Sequence, residues 1–153
     1  MKLVIGSDHN GFELKKIIID FISREFPQVE ITDKGTFSSE PVSYAEIAES
    51  VALEVSRENA ERGILICGTG LGMAMTADKV PGVRAAVCHD IYSAERARKS
   101  NDAQIMTMGA QVIGPELAKK LVAVWLVSEF QGGRSAPKVA KMVEIDEKYR
   151  KKA

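Results

Sequence analysis

Short apolar runs alternate along this chain with longer stretches of helical spacing, and glycine or proline separates most of them. Residues 3–6 read as a first strand. Over 11–26, Phe12, Leu14, Ile17, Ile18, Phe21 and Ile22 recur at helical intervals and predict an amphipathic helix. Residues 29–33 alternate apolar and polar positions as a second strand, and Tyr44, Ile47, Val51 and Val55 mark a helix over 42–57. A third strand at 63–67 leads into a helix over about 72–79. After the Pro81-Gly82 turn come a fourth strand at 84–88 and a charged helix at 91–99. A fifth strand covers 104–108. The next helix, 115–130, opens with Pro115 in its first turn, where proline is tolerated. Residues 131–134 break that helix, and a last one with a basic end covers 139–149.

Strands alternating with helices give parallel crossover units, so the chain predicts an α/β fold with a mostly parallel sheet covered on both faces. No repeat, low-complexity tract or linker interrupts 1–153, which reads as one domain with its C-terminal helix from about 139. Ligands in such folds sit beyond the carboxyl ends of the strands. That directs attention to the loops at 7–11, 67–72, 89–90, 100–102 and 109–111.

Composition narrows the partners. Hydrophobic residues make up 45% and charged residues 27% of 153 positions, ordinary for a globular chain with a sizeable core. Twenty-one basic residues balance 21 acidic ones, which argues against nucleic acid or an acidic membrane as the main partner. No apolar run approaches the roughly 20 residues of a membrane helix. Asp8 comes too early for a signal peptide, and the two cysteines are too few for a disulfide scaffold. The expectation is a soluble cytoplasmic protein.

The segment 63–72, Gly-Ile-Leu-Ile-Cys-Gly-Thr-Gly-Leu-Gly, carries the most chemistry. A strand ending at Cys67 runs through Gly68, Thr69, Gly70 and Leu71 into a helix beginning near Gly72. Strand, glycine turn and helix form a nest of backbone N–H groups at the positive end of a helix dipole, suited to an oxyanion or phosphate. The same field is expected to lower the pKa of the Cys67 thiol. A thiolate beside an anion hole is a site for proton transfer or nucleophilic attack. The glycine spacing is not the dinucleotide fingerprint, because the third glycine comes one residue early.

The other candidates have structural alternatives. Asp8 and His9 close the first strand as a helix cap and turn, or as contacts to substrate hydroxyls or phosphate. Thr69 is a spacer or a proton relay. Cys88, with no glycine turn after it, reads as a core residue. Ser100, Asn101 and Asp102 form a helix-end turn or a substrate loop. Arg134 and Lys138, four apart at a helix start, either stop one helix and begin the next or clamp a phosphate. Arg96, Arg98 and Lys99 read as a solvated face, and 148–152 as a frayed basic tail. Two histidines and two separated cysteines provide no zinc spacing, so no metal is expected.

Together these residues resemble the ribose/galactose isomerase family, of the ribose-5-phosphate isomerase B type. The resemblance runs from Lys2 to about Tyr149. It rests on Gly6-Ser7-Asp8-His9, Asp33-Lys34-Gly35-Thr36, Ile66-Cys67-Gly68-Thr69-Gly70-Leu71-Gly72, Asn101-Asp102-Ala103 and Gly132-Gly133-Arg134. It implies a Rossmann-like three-layer α/β/α sandwich with a five-stranded parallel sheet. The implied activity is aldose–ketose isomerisation of sugar phosphates without metal or organic cofactor. The implied assembly is a homodimer, sometimes paired into a tetramer, with active sites between subunits. By the same resemblance, Cys67 is the base that moves a proton between C1 and C2 through an enediolate, and Thr69 assists proton traffic between the oxygens. The amides of Gly68, Gly70 and Gly72 hold the oxyanion. Asp8, His9, Tyr44, Ser100 and Asn101 line the substrate, and Arg134 with Lys138 binds phosphate.

The chain departs from the family pattern in places. Met73 stands where a second branch has a glutamate, which assigns this chain to the cysteine branch. Ser100 replaces a histidine assigned to furanose opening, and serine has no near-neutral pKa to replace it. Gln111 stands for an arginine, Ser135 for a histidine, Lys138 for an arginine, and Ser43-Tyr44-Ala45 for Asp-Tyr-Pro. Ribose 5-phosphate and ribulose 5-phosphate are the default substrate pair. The alternatives are a tetrose 4-phosphate isomerase, whose substrate cannot close a furanose, and a non-catalytic sugar-phosphate binding protein.

Overall fold

The computed structural model describes residues 1–150. Strands β1 (Lys2–Ser7), β2 (Glu30–Asp33), β3 (Arg62–Cys67), β4 (Ala85–Val87) and β5 (Ile105–Gly109) form one sheet in the order β2-β1-β3-β5-β4, with every neighbouring pair parallel. Helices α1 (Phe12–Glu25), α2 (Tyr44–Ser56), α3 (Leu71–Ala77), α4 (Ile91–Lys99), α5 (Pro115–Val127) and α6 (Ala136–Arg150) complete the chain.

The period of two in the strands builds the layers. Leu3, Ile5, Ile64, Ile66, Met106 and Met108 pack on one face with the buried sides of α1, α4 and α5 around Trp125. Val4, Leu65, Cys67 and Ile105 pack on the other with Ala48, Val51 and Val55 of α2 and Met73 and Ala77 of α3. Both faces are covered, so the central strands are apolar along most of their length rather than alternating regularly with polar residues. The expected three-layer α/β sandwich is the fold observed.

Several boundaries and surface assignments differ from the sequence expectation. Helix α5 stops at Val127 rather than 130, because buried Arg62 collects its terminal carbonyls. Nη1 donates to the oxygens of Trp125 (2.8 Å) and Leu126 (3.0 Å), and Nη2 donates to that of Ser128 (2.8 Å). The last helix begins at Ala136 rather than 139, with Pro137 accommodated in its first turn. Arg98 is not solvated: it is buried, and its Nη1 reaches Asp102 Oδ1 (3.1 Å) and the Ala103 carbonyl (2.9 Å). Arg150, expected in a frayed tail, bonds Asp146 (2.8 Å) and the Lys79 carbonyl (2.7 Å); Lys151 and Lys152 of that tail lie outside the described residues.

Lys15 on α1 is almost fully buried. Its Nζ lies 2.7 Å from Asp33 Oδ1 and 2.5 Å from the Thr36 carbonyl, close to the rings of Phe12 and Phe37. This strut presses the loop after β2 against the carboxyl end of β1, where Ser7 exchanges backbone hydrogen bonds with Gly35 and Thr36. At the other edge of the sheet, α6 borders a groove of about 440 Å3 shared with residues 83–86, Asn101 and Ala103. No helix among the described residues is long and apolar enough to cross a membrane.

Candidate active site

Parallel register gathers the carboxyl ends of the three central strands. Ser7 stands beside Ile66, and Cys67 stands opposite Gly109. Past Cys67 the chain turns through Gly70, whose φ of 79° lies in the left-handed region that favours glycine. A Cβ there would also stand 2.9 Å from the Met108 backbone. This turn brings the Gly70 N–H to 3.0 Å from Cys67 Sγ. Thr107 Oγ1 donates to the Gly70 carbonyl at 2.8 Å and fixes the turn from beneath.

The Leu71 N–H is taken by Thr69 Oγ1 at 3.3 Å. As first-turn donors of α3, the N–H groups of Gly72 and Met73 have no acceptor within the helix. The Met73 side chain is buried beneath the nest in the core of the α2 and α3 face. Cys67 is itself 5% exposed, whereas Thr69 is exposed at the mouth. Tyr44 closes one side with its ring against Gly72, and the Gln111 amide lies over Gly68.

Asp8 and His9 leave β1 beside this nest. Asp8 is 4% exposed, and its Oδ1 accepts the Gly11 N–H at 3.1 Å, so one oxygen already caps the turn before α1. His9 Nδ1 accepts the Val42 N–H at 3.1 Å, which assigns the proton of the neutral ring to Nε2. One backbone contact thus orients the imidazole and ties down the loop leading to Tyr44. Asp8, His9, Tyr44, Cys67, Gly68, Thr69, Gly70 and Gly72 come together at one end of the sheet.

The other candidates do not join them. Helix α4 runs back from the carboxyl end of β4, so Ser100 and Asn101 lie at the amino end of β5. The loop 100–102 therefore does not border the carboxyl ends of this chain's own strands. Along β5 the register advances from Gly63–Ile105 to Cys67–Gly109, about 13 Å at the usual strand rise. The Gln131 N–H donates to the Lys99 carbonyl at 3.1 Å, bringing exposed Arg134 and Lys138 to the Ser100 end. Ser100 Oγ accepts from Arg96 Nε at 2.7 Å, so this guanidinium belongs to the same polar cluster rather than to a solvated face.

Cys88 behaves as expected of a core residue. It is 1% exposed, and burial, reinforced by Asp90, pushes its thiol up to about 12. Among the described residues no group of three or more His, Cys, Asp or Glu side chains is arranged to hold a metal ion. Sequence reasoning missed Thr107 and misread Arg96, and it marked the 89–90 loop without the contact that His89 makes there, where its Nε2 accepts the Gly109 N–H at 2.9 Å. Thr107 and His89 make their contacts across 37 and 20 residues, where no local pattern signals them.

An N–H-rich turn around a fixed thiol, with an acid, an imidazole and a phenol at its rim, can move a proton while stabilising an oxyanion. Known proteins share this framework. A ribose-5-P isomerase B from Listeria innocua is 59% identical over 150 residues, covering 98% of this chain and all of that one. A D-erythrulose-4-phosphate isomerase from Pectobacterium atrosepticum is 46% identical over 142 residues, 93% of each chain. The solved ribose-5-phosphate isomerase B of Clostridium thermocellum superposes with a TM-score of 0.94 at 48% identity, covering 97% of this chain and 99% of that one. The family described as Ribose/Galactose Isomerase matches residues 3–142, and the chain belongs to that family.

Proposed function

We propose that this protein is a cofactor-independent aldose–ketose isomerase of sugar phosphates, with ribose 5-phosphate and ribulose 5-phosphate as its pair. The observation that carries the proposal is the Cys67 thiol held 3.0 Å from the Gly70 amide inside the nest. Starting from the aldose, Cys67 Sγ takes the proton from C2. The electron pair moves into the C1–C2 bond and onto O1, giving an enediolate. First-turn amides of α3 stabilise that charge. Thr69 passes the hydroxyl proton from O2 to O1, and Cys67 returns its proton to C1 to give the ketose. Asp8, His9 and Tyr44 hold the sugar hydroxyls.

In this proposal Ser100, Asn101, Arg134 and Lys138 serve the Cys67 of a second copy, since they gather at the far end of their own sheet. A two-fold homodimer, alone or paired into a tetramer, would join the halves. The exposed apolar side chains Leu71, Met75, Tyr92 and Val112, with Met142 and Ile145 on α6, support a covered surface. A catalytic thiol that must stay reduced supports a cytoplasmic setting.

A tetrose phosphate is the second reading, favoured by Ser100. Its hydroxyl already accepts a charged N–H from Arg96, and no imidazole stands there to open a ring. The Pectobacterium relative carries a tetrose name.

Ketose formation from ribose 5-phosphate and erythrose 4-phosphate, measured side by side with Cys67→Ala as control, tests both. The expected result is pentose-favouring turnover that falls at least roughly 100-fold in the variant while ligand binding survives. A strong tetrose preference would select the second reading. Binding without turnover in the unmodified protein would leave a sugar-phosphate binding protein.

A further inference from the structure

Strand β4 pairs with β5 through Val87 and Thr107, and the Cys88 N–H donates to the Thr107 carbonyl at 2.9 Å. One residue later the chain turns away towards α4. The ladder nevertheless continues, because His89 Nε2 takes the place of a backbone carbonyl and accepts the Gly109 N–H at 2.9 Å. Gly109 is the last residue of β5 and stands opposite Cys67.

The three consecutive amides that begin at Gly109 have distinct destinations. The Ala110 N–H donates to the Cys67 carbonyl at 2.8 Å and the Gln111 N–H to the Gly68 carbonyl at 3.0 Å. Gly109 also approaches the nest closely: a Cβ on it would stand 2.5 Å from Thr69 Cα and 2.6 Å from the Gly68 oxygen. The 109–111 turn is thus the wall on which Cys67, Gly68 and Thr69 rest, and His89 holds its first amide.

We infer that His89 is a positioning residue for the isomerase site, acting through the Gly109 amide and only as a neutral imidazole. An acceptor at Nε2 needs a free lone pair, which the neutral Nδ1–H form has and the imidazolium lacks. Protonation would turn Nε2–H against the Gly109 N–H, donor against donor, and release the wall. Asp90 follows the ring at the start of α4, with its carboxylate occupied by Ser93 and its charge coupled to His89. Cys88, just past the end of β4, stays a thiol, and the strand residue facing the ring, Gly109, carries no side chain. Cys67 lies across β5, on β3 opposite Gly109. The kinetic consequence rests on the proposed role of Cys67; the structural one does not.

The test uses the full chain. Amide spectra recorded across a pH series should show the Gly109 resonance moving wherever the His89 ring resonance moves, with Thr69, Ala110 and Gln111 following. In His89→Gln, which keeps an acceptor at similar reach but cannot titrate, the Gly109 resonance should stay flat. Kinetically, His89→Leu should lower kcat about tenfold with KM changed by less than about twofold, and His89→Gln should restore most of it. A Gly109 resonance indifferent to the His89 titration overturns the inference. So does a folded His89→Leu with full kcat. If His89→Leu fails to fold, the titration of the unmodified chain and of His89→Gln still decides. Activity that survives Cys67→Ala would sink the proposed mechanism and leave the amide titration standing.

Discussion

Tyr44 lays its ring on Gly72 so closely that a Cβ on the glycine would stand 2.5 Å from two ring carbons. The first residue of α2 therefore depends on the absence of a side chain in the first turn of α3. Gly72→Ala should push the ring aside and raise KM for the sugar phosphate several-fold. Melting temperature should change little, because alanine favours a helix over glycine by about 1 kcal/mol and offsets part of the clash. In a double-mutant cycle, adding Gly72→Ala to Tyr44→Ala should bring no further loss of affinity. An additive loss would mean that the ring and the glycine act independently.

Lys15 supports the opposite rim. Lys15→Met would leave the Asp33 carboxylate and the Thr36 carbonyl without their ammonium partner. Breaking a buried pair costs about 3–5 kcal/mol, and the partial exposure of Asp33 reduces this to about 2 kcal/mol. Urea denaturation should show that loss. The contact between His9 and the Val42 N–H lies at the end of the same loop, so KM should rise together with the loss of stability.

Cys88 sets a limit at high pH. Its folded-state thiol is pushed up to about 12 from an ordinary 9.0, so the folded chain keeps a proton that the unfolded chain releases. The stability linked to this group is full below about pH 9 and is lost as pH rises from there towards about 12. Denaturation midpoints should fall between about pH 8 and about pH 10, and Cys88→Ala should flatten that fall relative to its own value at about pH 8. An unchanged slope in the variant would assign the alkaline loss to other groups.

Much of this architecture was legible because local spacing dictates it. Leu3 and Ile5 against Val4, and Ile64 and Ile66 against Leu65 and Cys67, divide between two cores as a period of two requires. Pro115 begins α5 where proline is tolerated. The end of α5 was not legible, because the group that terminates it, Arg62, lies more than sixty residues earlier in the chain. In the site, the nest was visible as a strand, a glycine turn and a helix. The separation of Asn101 and Arg134 from Cys67 follows instead from the direction of α4, which spacing alone does not reveal. His89 looked like one more loop residue because its partner, Gly109, has nothing but a backbone to signal it.

Ser100→His tests the substrate assignment from the other side. A histidine would end the Arg96 hydrogen bond and restore a group able to exchange a proton near neutral pH. The expected outcome is a gain of at least about tenfold on ribose 5-phosphate, with little change on erythrose 4-phosphate. Equal rates of variant and parent on the pentose would show that ring opening does not limit this protein.

If two copies share their sites as proposed, a chain with its thiol at one end of the sheet and its cations at the other would be open to two kinds of damage that compensate each other. In a two-fold pair that shares its sites, a Cys67→Ala chain beside an Arg134→Ala chain holds one intact centre and one doubly defective centre. Co-expressed, two chains each inactive alone would then recover activity together, as a property of the pair.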